Sequence, residues 1–181
     1  MAADYLVIST SLNPGSNSRL MALKAFELLN KHGQAEYLDL REHPLPMCDG
    51  DSAYGDANVA KLGSKIKAAR MILLAVPVYN YSFSAAAKNL VELTGKAWND
   101  KTVGFLCAAG GKSSYMSIIS LANSLMFDFR CLINPRFVYA DGTAFKNDVI
   151  YDAEITNRIE GLVESSVILA QTTKKLADIK G

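Results

Sequence analysis

The feature that most restricts the fold is an unbroken apolar run near the middle of the chain, residues 71–76 (MILLAV). A strand with one face in water alternates apolar and polar residues. A continuous apolar run instead indicates a strand that is covered on both faces, as in a parallel sheet. Parallel neighbours need long crossover connections, usually helices. The rest of the chain should therefore alternate short strands with amphipathic helices.

The sequence shows this alternation. Further strand-like runs cover residues 5–9, 35–40, 102–108 and 137–140. Apolar residues at helical spacing cover residues 20–33, 58–70, 85–93, 115–129 and 155–179. Strands and helices that alternate in this way predict a three-layer α/β fold with right-handed crossovers. We expect a single domain over residues 1–181.

Composition narrows the class of protein. The net charge of +1 gives no support to binding of nucleic acid or of an anionic membrane. No stretch approaches the about 20 apolar residues that span a bilayer, and residues 1–9 do not resemble a signal peptide. Cys48, Cys107 and Cys131 form no CxxC pair, which indicates free thiols rather than disulfides or metal ligands. A cytoplasmic protein is expected.

Ligands of open parallel sheets bind beyond the carboxyl ends of the strands, so the loops after the first, third and fourth strands form the candidate site. The first loop, residues 10–19 (TSLNPGSNSR), leads into a helix. N–H groups at a helix N-terminus suit a phosphate. The loop adds donor side chains at Ser11, Ser16, Asn17 and Ser18. Helix capping accounts for one of these residues, and the crowding of four favours phosphate binding.

The other two loops suit a flat ring. Residues 77–82 (PVYNYS) offer two tyrosines and an amide that can stack on a ring and bond its edge, although an ordinary turn explains them equally well. In residues 108–114 (AAGGKSS), paired glycines let backbone amides approach a ligand. A plain connection from strand to helix fits that loop too.

A nucleotide hydrolase is a competing hypothesis. Gly111-Lys112-Ser113 resembles the end of the phosphate-binding GxxxxGK[ST] motif, but Leu106 stands where the first glycine is required. The chain also contains no GxGxxG, so a dinucleotide-binding site of that type has no support.

The sequence of the second loop resembles a motif of a known family. Residues 77–82, followed by Lys88-Asn89 and Glu92, resemble the P-x-Y-N-x-S…K-N-x-x-D/E signature of NAD(P)H-dependent FMN reductases. Residues 11–18 resemble the family's Gly-Ser-x-Arg-x-x-Ser-x-Asn phosphate loop. Gly110-Gly111 lies where its third flavin loop is expected. The likeness covers residues 5–129.

The resemblance implies a flavodoxin-like fold with a five-stranded parallel sheet of order 2-1-3-4-5, FMN on the three loops, and a homodimer or homotetramer. By position, Ser11, Ser16, Asn17 and Ser18 would hold the phosphate. Pro77, Tyr79, Asn80 and Ser82 would hold the ring, together with the backbone of Gly110 and Gly111. Asn13, Val78, Tyr81 and Ser113 belong to the same loops and complete the predicted site.

The chain departs from the family pattern in all three loops. Thr10 replaces the usual glycine and Asn13 the usual arginine, while Val78 stands where an acidic residue is frequent. Ser84-Ala85 replaces Pro-Gly. Lys112 in the third loop either meets the cofactor phosphate or lies in solvent.

We therefore expect an oxidoreductase in which NADPH or NADH reduces FMN, and an acceptor such as a quinone, azo compound or metal oxyanion takes the electrons. No catalytic side chain is predicted, because the two cofactors supply the chemistry. The alternatives are a flavodoxin-like electron carrier and an interaction module without flavin. His32 and His43 are predicted to lie on the surface, away from the site loops. The helix faces around residues 90–98 and 118–129 are candidate dimer surfaces, and packing on the sheet alone is the alternative.

Overall fold

The structure, a computed structural model, describes residues 4–178. Its strands are β1 (Tyr5–Ser9), β2 (Ala35–Asp39), β3 (Met71–Tyr79), β4 (Ser82–Phe83), β5 (Thr102–Ala109), β6 (Leu132–Ile133), β7 (Val138–Asp141), β8 (Phe145–Lys146) and β9 (Val149–Ile150). Its α-helices are α1 (Asn17–Leu29), α2 (Ala57–Ala68), α3 (Ala85–Thr94), α4 (Ile119–Phe129) and α5 (Ala153–Asp178). Short 3₁₀ helices cover Ser52–Gly55, Gly95–Trp98, Lys112–Ile118 and Gly142–Ala144. The predicted last helical residue, Ile179, lies outside the described residues.

The central sheet has the order β2-β1-β3-β5, and β6 and β7 share the position beyond β5. These neighbours are all parallel, which confirms the predicted order 2-1-3-4-5. The sheet has seven strands rather than the predicted five. One extra strand, β4, returns antiparallel along the end of β3. The other is β6, which is separate from β7 because residues 134–137 lie opposite only residues 104–105 of β5. Pro135, in this stretch, also has no backbone N–H to donate to the ladder.

Helices cover both faces of the sheet, as the apolar run predicts. Residues of β3 alternate between two apolar clusters. Ile72, Leu74 and Val76 lie in the cluster that contains residues of α2, α3 and α4. Met71, Leu73 and Ala75 lie in the cluster that contains residues of α1 and α5. All six are fully buried, so each β3 side chain over this run faces a helix layer.

The predicted element ends differ at two places that matter for the site. The third strand continues through Pro77, Val78 and Tyr79, which were predicted to be loop residues. The fourth predicted helix, residues 115–129, is a 3₁₀ helix up to Ile118 and becomes α-helical only at Ile119.

The face predicted around residues 90–98 is not a surface. Leu90, Leu93 and Trp98 are buried within the fold, because α3 packs this face inward. The chain around α4 differs, since it leaves large apolar side chains exposed at Met116, Ile119 and Phe127.

Two of the three cysteines are inert. Burial raises the pKa of Cys107 and of Cys131 to about 12, so both remain thiols at neutral pH. Cys48 is half-buried and all three are free. Over residues 4–178, no helix has both the length and the apolar content needed to cross a bilayer.

Candidate functional site

A cleft of about 710 Å³ opens beyond the carboxyl ends of β1, β3 and β5. This volume lies within the about 300–1,000 Å³ of sites that bury a small molecule. The predicted site residues that line it are Ser11, Asn13, Ser16, Asn17, Ser18, Pro77, Val78, Tyr79, Asn80 and Gly110. Gly15, Ala108, Ala109 and Gly142 complete the lining. The three predicted loops therefore meet at one cleft.

Four predicted residues lie outside this lining. Tyr81 is 72% exposed at the tip of the turn between β3 and β4. Ser82 lies on β4, where it pairs with Tyr79 of β3, and it is exposed. Gly111 and Ser113 lie where the chain turns into the 3₁₀ helix, beyond the edge of the cleft.

The first loop ends in a helix cap. Ser16 is the N-cap of α1, and its Oγ accepts a hydrogen bond of 3.3 Å from the backbone N–H of Arg19. The hydroxyls of Ser16 and Ser18 lie 2.9 Å apart. The N–H groups of Asn17 and Ser18 lie in the first turn, where α1 offers no carbonyl four residues earlier. This end of the cleft therefore presents donors and the positive end of a helix dipole.

Arg19 supports the first loop from behind. Its side chain is 10% exposed, and its Nε donates to Asp39 Oδ2 at 2.9 Å. Nη1 donates to the Pro14 carbonyl at 2.7 Å, and Nη2 donates to the carbonyls of Asn13 at 2.8 Å and Ser11 at 3.5 Å. One buried guanidinium thus fixes three peptide groups of the loop.

The carboxylate that holds Arg19 is shared with a second arginine. Asp39 ends β2 with a side chain only 2% exposed, and Arg41 Nη2 donates to its Oδ2 at 2.8 Å. Burial disfavours the carboxylate, but the hydrogen bonds from Arg41 and the charge of Arg19 outweigh it. The pKa of Asp39 therefore lies below its usual 3.8. Two guanidinium groups on one carboxylate leave a net positive charge beside the loop, which favours an anionic ligand.

The second loop is a two-residue hairpin rather than an open loop. Tyr79 pairs with Ser82, and between them Asn80 and Tyr81 have φ angles of 49° and 61°. Positive φ at both central residues is the type I′ geometry that suits the twist of paired strands. Asparagine tolerates this conformation, whereas a bulky tyrosine rarely adopts it. The side chain of Asn80 makes no hydrogen bond to any residue in the described part of the chain.

The third loop is open on its cleft side. A Cβ at Gly110 would meet no protein atom within 4 Å, so packing within the chain does not require glycine there. On the other side, the hydroxyl of Tyr139 donates to the carbonyl of Gly111. The Tyr115 ring contacts Phe137 and Tyr139, at centroid distances of 4.9 and 5.6 Å. The loop is therefore supported by aromatic rings and leaves space where a ligand would lie.

Lys112 does not line the cleft. It is exposed beside a separate recess that also contains Asp141 and Arg158. Leu106, at the position where a GxxxxGK[ST] loop requires glycine, is fully buried in β5. The geometry thus gives the nucleotide-hydrolase hypothesis no support.

Three features of the site were missed in the sequence. Arg19 had a usable signal, because a cation in the first turn of a helix is unfavourable without a partner. Thr10 is buried, and its Oγ1 donates to the Ala75 carbonyl at 2.9 Å, which ties the loop to β3. Gly142 follows β7, so applying the strand-end rule to the last strand would have found it.

Similarity to known proteins decides the family. The sequence model described as NADPH-dependent FMN reductase matches residues 4–145. The chain belongs to that family. An NADPH azoreductase from Bacillus sp. (strain OY1-2) is 28% identical to this chain. The matched region covers 60% of this chain and 62% of the azoreductase. An NAD(P)H:quinone oxidoreductase from Solanum tuberosum is 27% identical, with 91% of each chain covered.

Solved structures agree on the fold of this family member. The flavoenzyme NAD(P)H:(acceptor) oxidoreductase FerB from Paracoccus denitrificans superimposes with a TM-score of 0.77 at 19% identity, covering 94% of this chain and 98% of FerB. The fold is flavodoxin-like, as the resemblance implied. The chain is thus an oxidoreductase of the FMN reductase family that uses FMN and NAD(P)H.

The residues present fit FMN. The first turn of α1 offers the cleft hydrogen-bond donors suited to a phosphate, and the hairpin offers the exposed Tyr79 ring and an Asn80 amide that has no partner among the described side chains. Gly110 also lines the cleft, and the space beside its Cα is open.

Proposed function

We propose that the cleft binds FMN and that electrons pass through it from NADPH or NADH to a quinone or azo acceptor. The observation that carries this proposal is the meeting of a supported helix N-terminus and a hairpin with a free amide in one cleft of about 710 Å³. The quinone and azo acceptors named for the relatives support the choice of acceptor class.

In this proposal the first loop holds the phosphate. The hydroxyls of Ser11, Ser16 and Ser18 and the N–H groups of the first turn of α1 would donate to phosphate oxygens. Asn17 lines the same end of the cleft. The usual arginine of the family is Asn13 here, and Arg19 supplies a positive charge from behind the loop instead. That substitution supports phosphate binding without a direct arginine contact.

The hairpin and the third loop would hold the ring. Tyr79 is 51% exposed and can pack on a flat ring, while the Asn80 amide can donate to and accept from its polar edge. The backbone at Gly110 would approach the ring from β5. Val78 is buried, so its contribution is limited to the backbone.

FMN, when bound, supplies the redox chemistry by taking two electrons from a reduced nicotinamide and giving them to the acceptor. The side chains lining the cleft bind and orient the reactants. The described residues that line the cleft include no histidine, cysteine or carboxylate.

An anaerobic visible spectrum tests the proposal. The protein is mixed with FMN, freed of excess flavin, and treated with NADPH or NADH. A protein-bound flavin band that bleaches, and recovers on addition of a quinone, supports the proposal. Bound flavin that does not bleach would indicate an electron carrier, and no bound flavin would indicate an interaction module. Steady-state rates should show ping-pong behaviour, and a requirement for all reactants at once would contradict the exchange.

We also propose a homodimer or homotetramer. The support is a group of exposed apolar side chains at the third loop and α4: Tyr115, Met116, Ile119 and Phe127. Phe127 is 81% exposed, which is unusual for a large ring in a protein with no partner at that surface. Light scattering should give a mass that is a multiple of the 19.6 kDa chain mass. In Phe127→Lys the measured mass should fall toward that of the single chain.

A cytoplasmic location completes the proposal. The free cysteines support it, because secreted proteins usually pair their cysteines in disulfides. Cell fractionation with an antibody to the protein tests it, and recovery from a membrane or secreted fraction would contradict it.

A further inference from the structure

A second recess, of about 250 Å³, lies beside the first loop. We call it the side recess, and its walls include Leu12, Leu40, His43, Leu45, Met47 and Ala86. Leu12 stands between Ser11 and Asn13, which line the main cleft, so the two cavities meet at the first loop. His43, predicted to be a surface residue away from the site, is half-buried in this wall.

Hydrogen bonds hold the side recess open in a fixed shape. The Asn89 side chain of α3 accepts from the Cys48 N–H and donates to the Pro46 carbonyl, each at 2.8 Å. Asn58 of α2 donates to the Pro44 carbonyl at 2.9 Å. The segment between β2 and α2 is thus fastened to two helices, so the recess exists before any ligand arrives.

The lining is apolar except for His43 and Asn89. Leu12 and Met47 are 61% and 74% exposed at the rim, so a ligand that covers them removes apolar surface from water. The His43 imidazole has no hydrogen-bond or ion-pair partner among the side chains that the structure describes. Because both donor and acceptor capacity of that ring remain available, whereas the Asn89 amide already bonds Cys48 and Pro46, His43 offers a polar contact beside apolar walls.

We propose that the side recess holds the apolar part of a quinone acceptor, a fused ring or short alkyl group, and that His43 donates a hydrogen bond to a quinone oxygen. This rests on the proposed function above. At about 250 Å³ the recess is smaller than the pockets of about 300–1,000 Å³ that bury a whole drug-sized ligand. It suits one portion of a molecule whose remaining portion lies in the main cleft. The side recess therefore selects acceptors with an apolar extension.

A substitution that fills the side recess tests this proposal. Ala86→Leu adds bulk to its wall, and Ala60→Leu, at an exposed alanine of α2 outside both cavities, is the matched control. The readout is the ratio of kcat/KM for 2-methyl-1,4-naphthoquinone to that for 1,4-benzoquinone. Ala86→Leu should lower the ratio about tenfold, mainly through KM, as expected for losing about 1.4 kcal/mol of binding. Ala60→Leu should leave the ratio unchanged.

A second readout needs no turnover. Calorimetric titration of 2-methyl-1,4-naphthoquinone into the oxidised, FMN-loaded protein should give a Kd that rises about tenfold in Ala86→Leu. His43→Leu keeps apolar bulk and removes the donor, so it should weaken the same binding several-fold. It also tests the proposal if Ala86→Leu fails to fold.

The outcomes separate the two proposals. Wild-type protein that reduces both quinones, with a ratio and a Kd unaffected by either recess variant, overturns the side recess alone. Wild-type protein that binds no FMN or reduces no quinone overturns the proposed function and this inference together.

Discussion

The two ends of the cleft are built in opposite ways. The first loop is held from behind by hydrogen bonds within the chain, with the buried Arg19 bonded to three loop carbonyls and to Asp39. The hairpin of β3 and β4 is exposed, and its Asn80 amide has no partner among the side chains that the structure describes. Tyr81 lies in a backbone conformation that tyrosine rarely adopts. One end is made rigid by its own contacts, and the other keeps its polar groups for a ligand. Substitutions should therefore affect stability and FMN affinity together at the first loop, and separately at the hairpin.

The largest effect is expected from Arg19→Met, which leaves three carbonyls and the Asp39 carboxylate without their shared donor. Removing one partner of a buried ion pair costs about 3–5 kcal/mol of unfolding free energy. FMN affinity should fall at least about a hundredfold, since the loop loses its shape. Urea unfolding and flavin fluorescence titration measure the two effects.

Arg41→Met is the matched control for that variant. Arg41 bonds the same carboxylate, but its side chain is 36% exposed and none of its side-chain hydrogen bonds goes to the first loop. It should cost much less in both measurements. Equal losses of stability and FMN affinity in the two variants would mean that the positive charge of each arginine matters, and not the hydrogen bonds from Arg19 to the first loop.

The second effect is at the hairpin. Asn80→Asp keeps a residue that tolerates positive φ, but it replaces an amide donor with a charge beside the ring. FMN affinity should fall about tenfold while the free energy of unfolding changes by less than about 0.5 kcal/mol. Asn147→Asp is the control, because Asn147 has a φ of 51° in the turn between β8 and β9, away from the cleft. Loss of stability in Asn80→Asp alone would end the contrast between the two regions.

The same contrast explains what the sequence could predict. The strand order came from the resemblance to the FMN reductases. Both helix layers and the meeting of three loops follow from hydrophobic patterns, which are local and periodic. The support of the first loop does not follow from them, because Asp39 is 20 positions from Arg19 and meets it only through the pairing of β1 with β2. The hairpin was missed for a related reason, since Tyr81 breaks the residue preference that identifies a type I′ turn. The side recess depends on contacts across 41 and 43 positions at Asn89, which no local pattern reveals.

A smaller effect is expected from Tyr81→Gly. Glycine adopts positive φ without strain, so the variant should be more stable by up to about 1 kcal/mol. FMN affinity should stay within about twofold, because Tyr81 does not line the cleft. Thermal unfolding with and without FMN measures both. A variant that is more stable but binds FMN poorly would show that the tyrosine itself contributes to the ring end, as the sequence prediction had it.

The smallest effect is the pH dependence of the Asp39 contribution, because that contribution changes only in acid solution. The pKa of this carboxyl is lowered in the folded protein, so its ion pairs stabilise the fold above the unfolded value of 3.8 and are lost as the pH falls below that value. The stability difference between the wild type and Asp39→Asn should be constant from pH 7 to about 5 and shrink in more acid solution. Urea unfolding across this range measures it. The Asn80→Asp variant carries no such buried pair, and its stability should follow the wild type at every pH. If instead the difference between the wild type and Asp39→Asn does not shrink in acid solution, the Asp39 carboxylate does not stabilise the fold through its ion pairs with Arg19 and Arg41.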